Sequence, residues 1–263
     1  MIYIAGLSIF IAVLIMRDGI NLYHTSRSSE ITLLRGREWT EGISHEEQFW
    51  DKYMGTNGGQ HAVDFKTRTQ PMREIRQDFI DYFPKDSLTV RILDCGAGPM
   101  TVLGNQARGY DVEIIPADPL APIYDKLLKR HGLTPYPRTQ YCPIEMIDRC
   151  FAKDYFDISH IQNALDHSEN PLLGIINMLM VTRPGGLVYL WHERNEAENE
   201  KYVGFHQWNF DVDEQGSFII KDARNNRTNV NDAIAQYAQS IKNKVIDNGL
   251  YVYVETWIIK RDG

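Results

Sequence analysis

The chain has 263 residues, of which 43% are hydrophobic and 24% are charged. This composition is typical of a globular protein that buries a full core, with room for one large domain and an appendage. The formal net charge is −7 at pH 7 and no long run of Lys or Arg occurs. Nucleic acid is therefore not expected as a partner, because affinity for a phosphate backbone depends on clustered positive charge.

An apolar stretch opens the chain, from Met1 to Met16, and carries no charge before Arg17. As a helix it would span roughly 24 Å, somewhat less than the roughly 30 Å hydrocarbon core of a bilayer. It lacks the positive n-region and clear cleavage site of a signal peptide, which favours an uncleaved anchor. The alternative is a buried or interfacial amphipathic helix.

The first positive charges all follow the apolar stretch: Arg17, Arg27, Arg35 and Arg37. By the positive-inside rule this pattern places the rest of the chain in the cytoplasm. We therefore expect residues 1–20 to be a membrane anchor helix, with membrane association through residues 1–16. The alternative localisation is cytoplasmic without an anchor.

Residues 21–84 are expected to form a helical N-terminal extension. One helix is predicted near Ser44–Tyr53, because Ser44-His45-Glu46-Glu47 forms a capping box. A second is predicted at about Pro71–Tyr82. Residues 85–263 are expected to form the main domain.

Short β-rich segments alternate with helical ones between residues 89 and 191. The predicted strands are Thr89–Asp94, Val112–Ala117, Phe156–Ile161 and Leu187–Trp191, and the predicted helices lie near Thr101–Arg108, Ile123–His131 and Leu172–Val181. Such alternation indicates βαβ units and a parallel sheet. Beyond it we predict a strand at Phe218–Ile220, a helix at Asn231–Asn248 and a strand at Tyr251–Ile259.

The first predicted strand runs into the segment Asp94-Cys95-Gly96-Ala97-Gly98-Pro99. Glycines at such a turn let backbone N–H groups approach a ligand closely. The spacing also fits the G-x-G-x-x-G of dinucleotide-binding proteins, with Thr101 at the last position, so the glycines alone do not identify the cofactor.

Asp94, two residues before the first glycine, makes this motif resemble that of the class I S-adenosylmethionine-dependent methyltransferases. The resemblance covers roughly Thr89 to Trp191. It includes the strand that leads into Asn163-Ala164-Leu165-Asp166-His167 and the turn Arg183-Pro184-Gly185-Gly186. It implies an α/β fold with a Rossmann-like doubly wound sheet, here following an N-terminal apolar helix, and S-adenosylmethionine as the cofactor.

A second acidic residue, Asp118, follows the next predicted strand, where the family binds the ribose hydroxyls. A turn aspartate before Pro119 is the alternative interpretation. The chain departs from many relatives after the third strand, where it has Cys142-Pro143-Ile144-Glu145, so Glu145 is only a candidate for the adenine side. The resemblance gives these cofactor-binding candidates: Asp94, Gly96, Ala97, Gly98, Pro99, Asp118, Glu145 and Asn163.

Two histidines beyond the fifth strand are candidate catalytic residues. His192 follows Trp191, and His206 lies in Gly204-Phe205-His206-Gln207-Trp208-Asn209-Phe210. This segment resembles one in a bacterial subgroup of proteins with a methyltransferase type 11-like domain. Either imidazole could accept a proton from a methyl acceptor near neutral pH. The alternative is a packed loop with hydrogen-bonded histidines.

No metal site is predicted. Asp166, His167, His192 and His206 show no recognised ligand spacing. Cys95, Cys142 and Cys150 are odd in number and lack C-x-x-C spacing, so neither a disulfide framework nor a zinc site is expected and a reducing compartment is favoured.

The resemblance implies a methyltransferase that modifies oxygen or nitrogen of a small or glycan-like acceptor. An alternative is a non-catalytic nucleoside-binding protein, anchored to the membrane, with a role in assembly or regulation. A nicotinamide-dependent oxidoreductase is the third hypothesis.

Overall fold

A computed structural model describes residues 41–70 and 72–262. The expected anchor at residues 1–16 lies outside these residues. Within the described ranges, no helix has both the length and the apolar character needed to cross a bilayer.

The helices of the described residues are mostly short. They are α1 (residues 41–55), α2 (Ala62–Thr69), α3 (Ala121–Arg130), α4 (Ile147–Cys150), α5 (Pro171–Val181), α6 (Glu196–Asn199) and α7 (Val230–Ala233). Short 3-10 helices lie at Gly59–His61, Gln77–Tyr82, Ile144–Met146 and Leu165–His167.

The strands are β1 (Thr89–Cys95), β2 (Gln106–Ala107), β3 (Tyr110–Asp118), β4 (Gln140–Tyr141), β5 (Phe156–Gln162), β6 (Thr182–Glu193), β7 (Trp208–Val212), β8 (Phe218–Asp222), β9 (Arg227–Asn229), β10 (Ala238–Asp247) and β11 (Val252–Lys260). An eight-stranded sheet has the order β10-β11-β6-β5-β1-β3-β2, and β4 also pairs with β3. A separate antiparallel sheet has the order β7-β8-β9.

The centre of the large sheet is parallel. β1 pairs in parallel with both β3 and β5, and β5 with β6, whereas β11 runs antiparallel between β6 and β10. Parallel neighbours bring their carboxyl ends to one edge, which is where ligands bind in open α/β sheets. The expected α/β sheet is therefore confirmed.

Both faces of the large sheet are covered, so its central strands are buried along most of their length. On one face, Ile175 and Met178 of α5 pack with Phe210 and Phe218 of the small sheet in one core cluster. On the other face, Phe79 of the 3-10 helix Gln77–Tyr82 packs against the sheet. Burial on both faces explains why β5 is a continuous buried run.

The predicted helix at Thr101–Arg108 is wrong. Residues 101–105 are irregular and residues 106–107 form β2. The Arg73 guanidinium donates to the carbonyl oxygens of Val102 (2.9 Å) and Leu103 (2.8 Å), which replaces the bonds that a helix would have supplied. A Cβ on Gly104 would lie 2.2 Å from the Glu74 carbonyl oxygen, so the two segments are in close contact.

The segment that contacts residues 101–106 also has a different secondary structure from the one predicted. Of the expected helix Pro71–Tyr82, the described residues keep only the 3-10 helix Gln77–Tyr82. Ile75 N–H donates to the Gln106 carbonyl (2.8 Å), and Gln106 N–H donates to the Arg73 carbonyl (2.8 Å). Pairing between the two segments has replaced helix formation in both.

The helix predicted at Asn231–Asn248 is also wrong. α7 ends at Ala233, and β10 occupies Ala238–Asp247 as an edge strand paired with β11. Its lysines, Lys242 and Lys244, are typical of edge strands, where a charge discourages pairing with another chain. The predicted strands at Phe218 and Tyr251 are confirmed to within a few residues.

Two of the three cysteines form a disulfide, Cys142–Cys150, and Cys95 is free and buried. The expectation of no disulfide was therefore wrong. An odd number of cysteines does not exclude one disulfide between two of them. Cys142 and Cys150 are only eight positions apart, on either side of residues 143–149.

Candidate functional site

A cavity of about 490 Å³ opens at the carboxyl edge of the parallel strands. Its volume is within the usual range for small-molecule sites, about 300–1,000 Å³. Gly96 follows β1, Asp118 ends β3 and Asn163 follows β5, and all three line the cavity. Residues of α1, including Trp50, form the opposite wall.

The glycines of the loop after β1 have left-handed backbone conformations, with φ of 60° at Gly96 and 63° at Gly98. A Cβ on Gly96 would lie 2.4 Å from Cβ of Ala164, and one on Gly98 would lie 2.8 Å from Cζ2 of Trp50. The glycines are thus required for close packing of the loop against the turn after β5 and against α1, in addition to any approach of a ligand.

Asp94 is buried beneath this loop and is not among the residues that line the cavity. Thr101 Oγ1 donates to its Oδ2 (2.5 Å), and His160 Nδ1 lies 2.7 Å from its Oδ1. The carboxylate therefore ties β1 to β5 and to the chain that follows the loop.

Asp118 lines the cavity although it is only 6% exposed. Its Oδ2 accepts from Gly98 N–H (3.1 Å) and its Oδ1 from Leu120 N–H (2.8 Å). Burial raises the pKa of Asp118 to about 7, although both backbone hydrogen bonds favour the charged form. Each oxygen retains a further lone pair for a ligand hydroxyl.

The remaining cofactor candidates are divided between the cavity and the structure around it. Glu145 lines the cavity, and its Oε1 accepts from the backbone N–H groups of Glu169 (2.8 Å) and Asn170 (3.2 Å). Asn163 also lines it, and its Oδ1 accepts from Glu193 N–H (3.0 Å). Two candidates, Ala97 and Pro99, are not among the lining residues.

The two candidate histidines have different surroundings. His192 is fully buried beside Phe210 and does not line the cavity. Neither of its ring nitrogens has a hydrogen-bond partner among the described residues, and burial lowers its pKa to about 3. His206 lines the cavity, so of the pair only His206 is placed to contact a ligand there.

His206 belongs to a cluster with Asp166 and His167, which we call the histidine cluster. Asp166 Oδ2 lies 2.8 Å from His206 Nδ1 and 3.4 Å from His167 Nε2, and these two nitrogens are 3.3 Å apart. Asp166 is fully buried, whereas both histidines line the cavity. The sequence places Asp166 and His167 together after β5, but it does not show that the loop before β7 brings His206 to them.

The pKa of His206 lies above its ordinary value. Burial disfavours the His206 imidazolium, but the hydrogen bond to Asp166 and the charge of Asp166 outweigh it, raising the pKa of His206 to about 9. Burial, together with Asp166, raises the pKa of Glu196 to about 9 as well. His206 therefore has to lose a proton before it can accept one from a substrate.

Carboxylates dominate the ionisable groups of the cavity wall. The acidic lining residues are Glu46, Asp118, Glu145, Glu193, Glu196 and Glu200. No Lys or Arg is among the described residues that line it. A cationic ligand is favoured over a polyanionic one in such a field.

Comparison with family models finds no match, and neither does comparison with curated proteins. Among solved structures, the chain is similar to the CurJ carbon methyltransferase, with a TM-score of 0.48 and 16% identity over 68% of this chain and 50% of that one. It is also similar to phosphoethanolamine N-methyltransferase 2 of Haemonchus contortus, solved with S-adenosylhomocysteine, with a TM-score of 0.45 and 13% identity over 70% and 52% of the two chains.

The methyltransferase domain of the citrinin polyketide synthase gives a TM-score of 0.44 and 14% identity over 68% of this chain and 48% of that one. The aligned region thus spans about half the length of each of these three structures. With TM-scores below 0.5, these similarities assign no activity to this chain.

Proposed function

We propose that the chain binds S-adenosylmethionine in the cavity and transfers its methyl group to oxygen or nitrogen of a small or glycan-like acceptor. The observation that carries this proposal is the arrangement of the cavity wall. The glycine loop after β1, the acid at the end of β3 and the histidine cluster after β5 all face one cavity. The first two suit a nucleoside, and the third suits a polar acceptor.

Asp118 supports a ribose within this cavity. One oxygen already holds the glycine loop through Gly98, and the other accepts from Leu120 in the turn after β3. In the charged form they can also accept from two vicinal hydroxyls. The acidic wall suits the positive charge of a sulfonium, which a neutral nucleoside lacks.

The segment after the glycine loop argues against the oxidoreductase hypothesis. In dinucleotide-binding folds the pyrophosphate rests on the N-terminus of the helix that follows the glycines. Here residues 101–105 are not helical, and the cavity wall is acidic. Both features disfavour a pyrophosphate, whereas S-adenosylmethionine has none.

In the reaction, the acceptor atom attacks the methyl carbon in line with the bond to sulfur. The protein contributes proximity and alignment, which can account for a large part of the rate enhancement. The acceptor is held at the histidine cluster, because His167 and His206 line the cavity and can form hydrogen bonds with a polar group. No covalent intermediate with the protein is required.

Calorimetric titration with S-adenosylmethionine, S-adenosylhomocysteine and NAD tests the proposal. We expect the first two to bind and NAD not to bind. Release of S-adenosylhomocysteine would then be measured with monosaccharides, amino sugars and polyols as acceptors. Binding of NAD alone would contradict the proposal, and cofactor binding without turnover on any acceptor would favour the non-catalytic alternative.

A further inference from the structure

The three polar atoms of the histidine cluster converge on one point. Asp166 Oδ2, His167 Nε2 and His206 Nδ1 are separated by 2.8, 3.4 and 3.3 Å. Ligand atoms that lie 2.0–2.2 Å from one metal ion are about 3–3.5 Å from each other. The cluster thus approximates one face of a coordination sphere.

We propose that Asp166, His167 and His206 bind a divalent transition-metal ion inside the cavity. Two imidazoles and one carboxylate favour zinc, iron(II) or cobalt(II) over magnesium and calcium, which prefer oxygen ligands. Three protein ligands leave positions for a substrate atom, as in catalytic metal sites. The sequence did not predict this site, since only two of the three ligands are adjacent in the chain.

Hydrogen bonding alone leaves the cluster incompletely satisfied. Asp166 is fully buried, and its Oδ1 has no hydrogen-bond partner among the described residues. Buried carboxylate oxygens are rarely left in this state. The two ring nitrogens face the same Oδ2 and each other, so a cation between the three atoms would bind one lone pair from each of them.

The surroundings resemble those of a metal site. Glu46 Oε1 on α1 lies 3.6 Å from His167 Nδ1, the nitrogen that faces away from the cluster. A carboxylate beside the second nitrogen of a metal-binding histidine commonly fixes its orientation. Glu196 Oε1 lies 4.0 Å from His206 Nδ1, and its Oε2 is buried without a partner among the described residues. Glu196 is therefore within reach as a fourth ligand.

The role of the ion rests on the proposed function, although its binding does not. An acceptor hydroxyl that binds the ion loses its proton to solvent water more readily. Its oxygen then attacks the methyl carbon, and a C–O bond forms as the C–S bond breaks. The electron pair of that bond stays on sulfur, which becomes a neutral thioether. The substrate class implied is a hydroxylated acceptor.

Zinc titration of the full chain, after treatment with a chelator, tests the site by calorimetry. We expect one zinc ion per chain, and a loss of affinity of more than about tenfold in His167→Ala and in His206→Ala. His131→Ala is the matched control, because His131 Nε2 also lies 2.8 Å from a carboxylate, that of Asp51, but among the described residues it belongs to no group of three metal-binding side chains. Its zinc affinity should equal that of the wild type.

Cobalt(II) absorption provides a second measurement that does not depend on the histidine variants. Visible bands of a nitrogen- and oxygen-ligated ion should appear at one equivalent and should be absent in Asp166→Asn, which preserves the shape of the side chain. Circular dichroism checks that each variant is folded.

Absence of stoichiometric zinc binding, or binding that survives in both histidine variants, would overturn the proposal. S-adenosylmethionine is titrated separately in the presence of the chelator. If the cofactor binds and zinc does not, the metal inference fails and the methyltransferase proposal stands. If zinc binds and the cofactor does not, the methyltransferase proposal fails and the metal inference stands.

Discussion

Asp118 is an acid whose charge at neutral pH is set by its burial. Burial raises its pKa to about 7, and the deprotonated form is the one that accepts hydrogen bonds from two ribose hydroxyls. Because binding favours the form that predominates above this pKa, we predict that affinity for S-adenosylmethionine rises by about tenfold between about pH 6 and about pH 8. Calorimetry over this range measures the change.

The matched control is Asp118→Asn, whose affinity we expect to be about 10–100-fold lower, as for the loss of a hydrogen bond to a charged group. Titration of the cofactor's own amino group affects both proteins equally, so the difference between their pH profiles isolates Asp118. Parallel profiles would contradict the assignment of this carboxylate to the ribose.

Gly96 has both a left-handed backbone and no space for a side chain. Gly96→Ala should cost about 1–2 kcal/mol of unfolding free energy for the conformation and a further 1–3 kcal/mol or so for overlap with Ala164. Adding Ala164→Gly should recover only the second part. Urea denaturation of the two single variants and the double variant measures the coupling, and strictly additive effects would show that the two residues are not in contact.

Sequence spacing places Asp94 and Asp118 at strand ends, and the structure has both there. Sequence spacing does not distinguish a carboxylate that faces the cavity from one that is buried next to the loop. Thr101 and His160 reach Asp94 only through tertiary contacts. The same limit applies to the histidines. The sequence places both His192 and His206 after the predicted strand Leu187–Trp191. In the structure His192 lies within β6, where it packs against Phe210 and is enclosed.

At the level of elements, α1 forms one wall of the cavity. Trp50 lies over Gly98, and its Nε1 donates to Glu46 Oε2 (2.9 Å). We predict that Trp50→Ala weakens S-adenosylmethionine binding roughly tenfold or more, as expected when a packed aromatic anchor is truncated. Phe49→Ala is the matched control, since Phe49 also lines the cavity but is 48% exposed. Equal losses in the two variants would argue against a specific role for the indole.

The parallel strands were predictable because each is a short segment rich in β-branched and other apolar residues that ends at a turn. The helix predicted at residues 101–108 is absent, and those predicted at residues 71–82 and 231–248 are formed only in part, because of contacts with residues far away in sequence. Arg73 binds the carbonyls of residues 102 and 103, and β10 pairs along β11. Local helix propensity is a weak preference, and such tertiary contacts override it.

At the level of the whole molecule, two features indicate different compartments. The arginines after residue 16 favour a cytoplasmic domain, whereas the disulfide Cys142–Cys150 would persist in an oxidising compartment. Cys142 lines the cavity, so the redox state of this pair bears directly on the shape of the cavity. Because these two features disagree, the localisation has to be tested by changing the N-terminal segment and measuring where the protein is found.

We propose that residues 1–16 anchor the chain to a membrane, and we predict that their deletion transfers the protein to the soluble fraction without changing its affinity for S-adenosylmethionine. The affinity should be unchanged because the described residues that line the cavity fall between Glu46 and Tyr251.

Ile9→Arg in the full-length chain should have the same effect as the deletion while keeping the segment, since a charge at the centre of an apolar helix costs about 2.5–3.5 kcal/mol of insertion free energy. Fractionation of cells without detergent, followed by calorimetry on the purified proteins, measures both quantities. If the full-length chain is already entirely soluble, the anchor does not exist. If deletion lowers cofactor affinity, the N-terminal segment contributes to the cavity instead.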